Sequence, residues 1–128
     1  MFEPASASTQ TMVVRTGELI PLKAGSSVTE ELDVACAQMH LDGPGSSDSF
    51  SLKVDVSLSD LIDLLELADF SQEDFRVQQF AIWTITDNPG RIAYVGLGSF
   101  GTGSGPSDEE LNRIYTLFSK AGIDSYHR

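Results

Sequence analysis

Gln78-Gln79-Phe80-Ala81-Ile82-Trp83-Thr84-Ile85-Thr86-Asp87-Asn88-Pro89 is the stretch on which the fold turns. It is apolar nearly all round, which predicts a helix inside the core and not on the surface. It also carries glutamine in its greasiest stripe. Gln79 lies at offsets of four and three from Phe75, Ile82 and Trp83, so the wheel turns it inward with them. A carboxamide in such a place needs a hydrogen-bond partner. Ser71-Gln72-Glu73-Asp74 precedes the stretch, predicting Ser71 as N-cap and acidic residues in the first turn. Pro89 predicts that the helix stops just before it, near Thr86.

Upstream, Val28–Leu41 is a strand candidate, clearest from Leu32 onward. Leu32, Val34 and Cys36 alternate onto one face; Ala35, Ala37, Met39 and Leu41 take the other. Both faces are partly apolar, so the strand is expected inside the sheet. Asp42–Asp48 is a loop. Phe50, Leu52, Val54 and Val56 then alternate with Ser51, Lys53 and Asp55, predicting a strand with one dry face. Ser57 opens a helix whose apolar face is Leu58, Leu61, Ile62, Leu64, Leu65 and Ala68, broken at Asp69-Phe70. Met12–Arg15 and Glu18–Leu22 look like a hairpin about Thr16-Gly17, with Pro21 marking an edge.

Downstream, Arg91–Val95 reads as a last strand and Gly96–Pro106 as a Gly/Ser-rich connection. Ser107-Asp108-Glu109-Glu110 is a capping box for a final helix. Its core face is Leu111, Ile114, Tyr115, Leu117 and Phe118, and Gly122 closes it. The expected fold is α+β: a small antiparallel β-sandwich or barrel with about three helices. Residues 1–11 are expected as a disordered leader and 12–128 as a single module.

The chain has 128 residues, enough for one core, with 41% hydrophobic and 21% charged residues. Nineteen acidic against 8 basic residues give a formal net charge of −11. No basic patch can neutralise phosphates, which argues against nucleic acid and anionic membranes as partners. No apolar run is long enough to insert in a membrane. The acidity reads as a solvated surface.

Several motifs fail on spacing. Gly96-Leu97-Gly98-Ser99-Phe100-Gly101 matches a dinucleotide fingerprint, but the next helix starts six residues late and only 27 residues follow Gly101. His40 and His127 are isolated. No cluster has zinc or EF-hand spacing, so no metal or cofactor is expected. Asp42 and Asp48 flank a glycine loop, where turn chemistry outweighs weak calcium binding.

What remains is the single cysteine, Cys36, and the inward glutamine, Gln79. In one reading Cys36 is a small hydrophobe and Gln79 satisfies stray backbone. In the other they are joined: the thiolate attacks the carboxamide carbon, ammonia leaves, and a thioester remains for a target amine to open. Proximity would do most of that work. Phe80 and Trp83 would shield the bond from water.

The order of elements carries a resemblance: a cysteine strand, a Pro/Gly loop, a Phe-x-Leu strand, a Leu-rich helix, Gln79-Phe80-Ala81-Ile82-Trp83 running into Thr-Asp-Asn, and a last helix ending Ala-Gly-Ile-Asp. Over roughly residues 12–124 it resembles the thioester domains of bacterial surface adhesins and their thioester-less relatives. That likeness implies an extracellular, cell-surface, non-enzymatic binding module, with a protein or amine-bearing surface ligand. Three positions depart from the family pattern: Ala35 stands before the cysteine where an aromatic or large aliphatic residue is usual, Gln38 two after it where Asp or Asn is favoured, and Gln78 before the glutamine where an apolar residue is usual. A rival is a small cytosolic ligand-binding regulator using Gly96–Gly105.

Overall fold

The computed structural model describes residues 1–15, 20–39, 41–52, 59–88, 105–124 and 126. Four short strands, β1 (Phe2–Pro4), β2 (Met12–Val14), β3 (Val34–Cys36) and β4 (Phe50–Leu52), form one sheet in the order β3-β2-β1-β4. Every pairing between them is antiparallel. Four helical segments follow: α1 (Ser59–Glu66), α2 (Ala68–Ser71), α3 (Phe75–Asp87) and α4 (Asp108–Ala121). The α+β class is as expected. Among the described residues the strands make a single open sheet, with no second sheet to complete a sandwich.

α3 is the hub, packing against β3, α1 and α4. Val77 to Ile85 are buried without interruption, as an all-round apolar helix must be. Fully burying side chains such as Phe80, Ile82 and Trp83 contributes roughly 1.5–3 kcal/mol each relative to exposure. The rest of the core comes from Leu61 and Leu64 of α1, Phe70 of α2, Ile114, Leu117 and Phe118 of α4, and Val13, Ala35, Ala37 and Met39 from the sheet side. Ala35 and Ala37 let the helix approach closely.

Several details depart from expectation. Residues 1–11 carry strand β1, and it lies between β2 and β4. Met12–Val14 pairs with Val34–Cys36 and with Phe2; residues 20–22, expected as its hairpin partner, are exposed and form no strand. Ile20-Pro21-Leu22 cannot serve fully because Pro21 has no N–H to give a ladder. Leu52, expected on a dry face, is 72% exposed. Its strand lies at the end of the strand order opposite β3, the strand against which α3 packs.

The cap of α3 also moves. Asp74, not Ser71, accepts the Val77 N–H at 3.1 Å, while the Ser71 hydroxyl donates to the Ala68 carbonyl at 2.8 Å. Ser71 is taken up in the short turn α2, so the next oxygen-bearing side chain at the right distance becomes the cap. Phe75 is half-exposed beneath Arg15 and does not share the buried face of Gln79. α3 ends at Asn88, in the left-handed region at φ 42°, its N–H donating to the carbonyls of Thr84 and Trp83. α4 matches expectation: Ser107 and Glu110 exchange both capping-box hydrogen bonds, and Gly122 (φ 76°) closes it. Thr16–Leu19, His40, Lys53–Leu58, Arg91–Val95, the run Gly96–Gly101 and His127 lie outside the described residues.

Candidate functional site

The site starts from the geometry of an edge. Among the described residues β3 pairs with β2 alone, in the register Met12–Cys36, Val13–Ala35 and Val14–Val34. The bonds toward β2 come from alternate residues: Ala37 N–H donates to the Thr11 carbonyl at 2.8 Å, and Asp33 accepts from Arg15 N–H at 2.9 Å. Cys36 falls between them, so its own N–H and C=O point away from β2. Left bare, they would be unsatisfied edge groups.

Gln79 supplies the missing strand with one side chain. Its Oε1 accepts the Cys36 N–H at 2.9 Å, and its Nε2 donates to the Cys36 carbonyl at 2.6 Å. The carboxamide therefore imitates a peptide group of a neighbouring strand. α3 brings it there because Gln79 is 1% exposed on the sheet-facing side of a helix held against β3. The structure thus brings the two predicted residues together, through the backbone of Cys36.

The thiol is placed differently from the amide. Pleating sends successive side chains to opposite faces, so Cys36 leaves the face opposite to that of Ala35. Directly paired residues share a face, and the registers line up Cys36, Met12, Phe2 and Leu52 across the sheet. Cys36 is half-buried and reduced. Burial pushes its thiol pKa up, which lowers the thiolate fraction at neutral pH. The carboxamide sits level with the strand edge, between the two faces.

Phe80 and Trp83, the proposed shield, are both buried, with ring centroids 6.0 Å apart and planes at 60°. Arg76 lies 4.8 Å over the Phe80 ring and donates to Glu110 at 2.8 Å and to the Gly105 carbonyl at 2.9 Å. It anchors the end of the Gly/Ser-rich connection to α3.

More glutamines act as joints beside the site. Gln10 accepts from Gln38 N–H at 3.2 Å and donates to the Leu41 carbonyl at 2.8 Å; Gln38 in turn accepts Thr11 N–H at 2.8 Å. Gln78 donates to the Phe70 carbonyl at 2.8 Å and accepts from Arg15. Asp87 receives the Met39 N–H at 3.2 Å, tying the exit of β3 to the end of α3. The sequence signal for these joints was the glutamine beside Gln79 in an apolar helix. It marks burial of an amide but not its partner.

No family model, curated protein or solved structure matches this chain. Among the described residues no group of His, Cys, Asp and Glu is disposed to hold a metal ion. Asp48 is used in turn chemistry, accepting Gly45 N–H at 2.6 Å, and Asp42 bridges to Thr9. No helix among them is long and apolar enough to cross a membrane.

Proposed function

We propose that this chain is a non-enzymatic binding module of a larger surface protein, and that the Cys36–Gln79 junction is its chemical centre. The observation that carries this reading is the pair of hydrogen bonds fixing the Gln79 carboxamide at residue 36. Those bonds hold the amide carbon at the backbone of the residue that bears the thiol; acyl transfer further requires the sulfur to turn from its own face toward that carbon. In that step the Cys36 sulfur attacks the Gln79 carbonyl carbon, the C–N bond breaks, and ammonia leaves with the thiol proton. A target amine then attacks the thioester, forming an amide and returning the thiol. Each molecule acts once. The raised thiol pKa means that positioning, not a preformed thiolate, must supply the rate. The extracellular setting and the amine-bearing partner rest on the resemblance alone.

A second reading is favoured by the completeness of the same hydrogen bonds. Both polar ends of the carboxamide are already matched to the backbone of Cys36, so Gln79 also serves as a lock on the sheet edge in a thioester-less module.

Intact-mass measurement of the native chain separates the two. A chain lighter than its sequence by one ammonia, which then takes up methylamine, supports covalent capture. A mass equal to the unmodified sequence, unchanged by methylamine, leaves the lock.

A further inference from the structure

Gln78 stands where an apolar residue is expected, and it is 2% exposed. Its amide is satisfied at both ends: Nε2 donates to the Phe70 carbonyl at 2.8 Å, and Oε1 accepts from Arg15 Nη1. Arg15 directly follows β2. Its backbone N–H donates to the Asp33 carbonyl at 2.9 Å, three residues before Cys36. Its guanidinium lies 4.9 Å over the Phe75 ring and 3.7 Å from the Asp33 carboxylate. One side chain therefore touches the sheet just upstream of Cys36 and the helix just upstream of Gln79.

Apolar packing is non-directional. It holds α3 on the sheet without fixing its roll or height to the roughly 0.5 Å that a reacting pair requires. Hydrogen bonds with defined angles do fix them. Among the described residues Arg15 Nε is buried without a hydrogen-bond partner. We infer that the Arg15–Gln78 clamp is a positioning device that sets α3 so that the Gln79 carboxamide meets residue 36. This rests on reading the Cys36–Gln79 junction as the chemical centre.

The test compares two backbone amides one residue apart. Cys36 N–H is held by Gln79 on α3, whereas Ala37 N–H is held by Thr11 beside β2. In Arg15→Met, which keeps the stem and removes the donors, hydrogen exchange at Cys36 should accelerate about tenfold more than at Ala37. Arg15→Lys, which restores one donor to Gln78, should bring that ratio back to within about threefold of wild type. Should Arg15→Met fail to fold, Phe75→Leu, which removes the ring beneath the Arg15 guanidinium, should shift the same ratio about threefold. Equal acceleration at both amides would overturn the positioning role and leave Arg15 a plain stabiliser. Intact masses of the same samples keep the two ideas apart. A native mass lighter by one ammonia with an unchanged exchange ratio overturns the clamp alone. An unmodified mass with a changed ratio overturns the thioester alone.

Discussion

The carboxamide of Gln79 occupies both hydrogen-bonding positions of the Cys36 backbone, at 2.9 and 2.6 Å, a side chain standing where a neighbouring strand's peptide would bond. Gln79→Leu keeps the volume and removes both bonds. It strands one N–H and one C=O on a partly buried edge, and the expected loss is about 2–4 kcal/mol in urea unfolding. Gln79→Glu should behave differently with pH. A buried carboxylate can accept from the Cys36 N–H but faces the Cys36 carbonyl, so its folded pKa rises. Its protonated form is favoured by folding, so the deficit against wild type should shrink as pH falls through that folded pKa. A deficit independent of pH would show that residue 79 does not face that carbonyl.

Cys36→Ala leaves the backbone grip intact. The thiol is half-buried, so the loss should be below about 1 kcal/mol. Under the capture reading the variant should have the mass of its unmodified sequence and take up no methylamine, while wild type is one ammonia light.

Asp74 caps α3, and its carboxyl is held below the usual range, first by the Val77 N–H and then by Arg113. Asp74→Ala should cost about 1 kcal/mol near neutral pH. Because the folded pKa is depressed, that contribution is present above the unfolded pKa and is lost as pH falls through the folded one. Wild type and variant should therefore converge in acid unfolding curves. A constant difference across that range would remove Asp74 from the cap.

Tyr126 donates to Asp60 at 2.9 Å and packs its ring against Phe118, with centroids 5.6 Å apart. Burial first, and then the Asp60 hydrogen bond, push its pKa up to about 12. The neutral phenol is favoured by folding, so its contribution is present below the unfolded pKa near 10 and fades as pH rises from there to about 12. Ultraviolet titration should show one tyrosine ionising late, and Tyr126→Phe should abolish that step and cost about 1 kcal/mol.

The helices were legible because their signals are local. Ser107 and Glu110 announce α4 within four residues, and the apolar run from Phe80 to Ile85, ended before Pro89, reads as a buried helix. The inward turn of Gln79 also followed from its neighbours Ile82 and Trp83. The sheet was less legible. β1 is three residues long, includes Pro4, and pairs with Phe50–Leu52 nearly fifty positions away. No periodicity can be read in three residues, and no local rule names so distant a partner. The same distance hid the role of Arg15. A basic residue at the end of a strand reads as a solvated charge until Gln78 comes to meet it, sixty-three positions on. Ser71 and Asp74 can both accept at the start of α3, and only the extra turn of α2 decides between them.

The joints that Gln10, Gln38 and Gln79 make around residue 36 are neutral amides, whereas α4 is fastened to its neighbours partly by charge. Arg113 reaches Glu73 and Asp74, Arg76 reaches Glu110, and Lys120 reaches Asp69. Salt screens those ionic fasteners and leaves the amide joints nearly untouched. Added salt should therefore loosen only the polar rim of α4, while its buried Ile114, Leu117 and Phe118 keep the helix in the core.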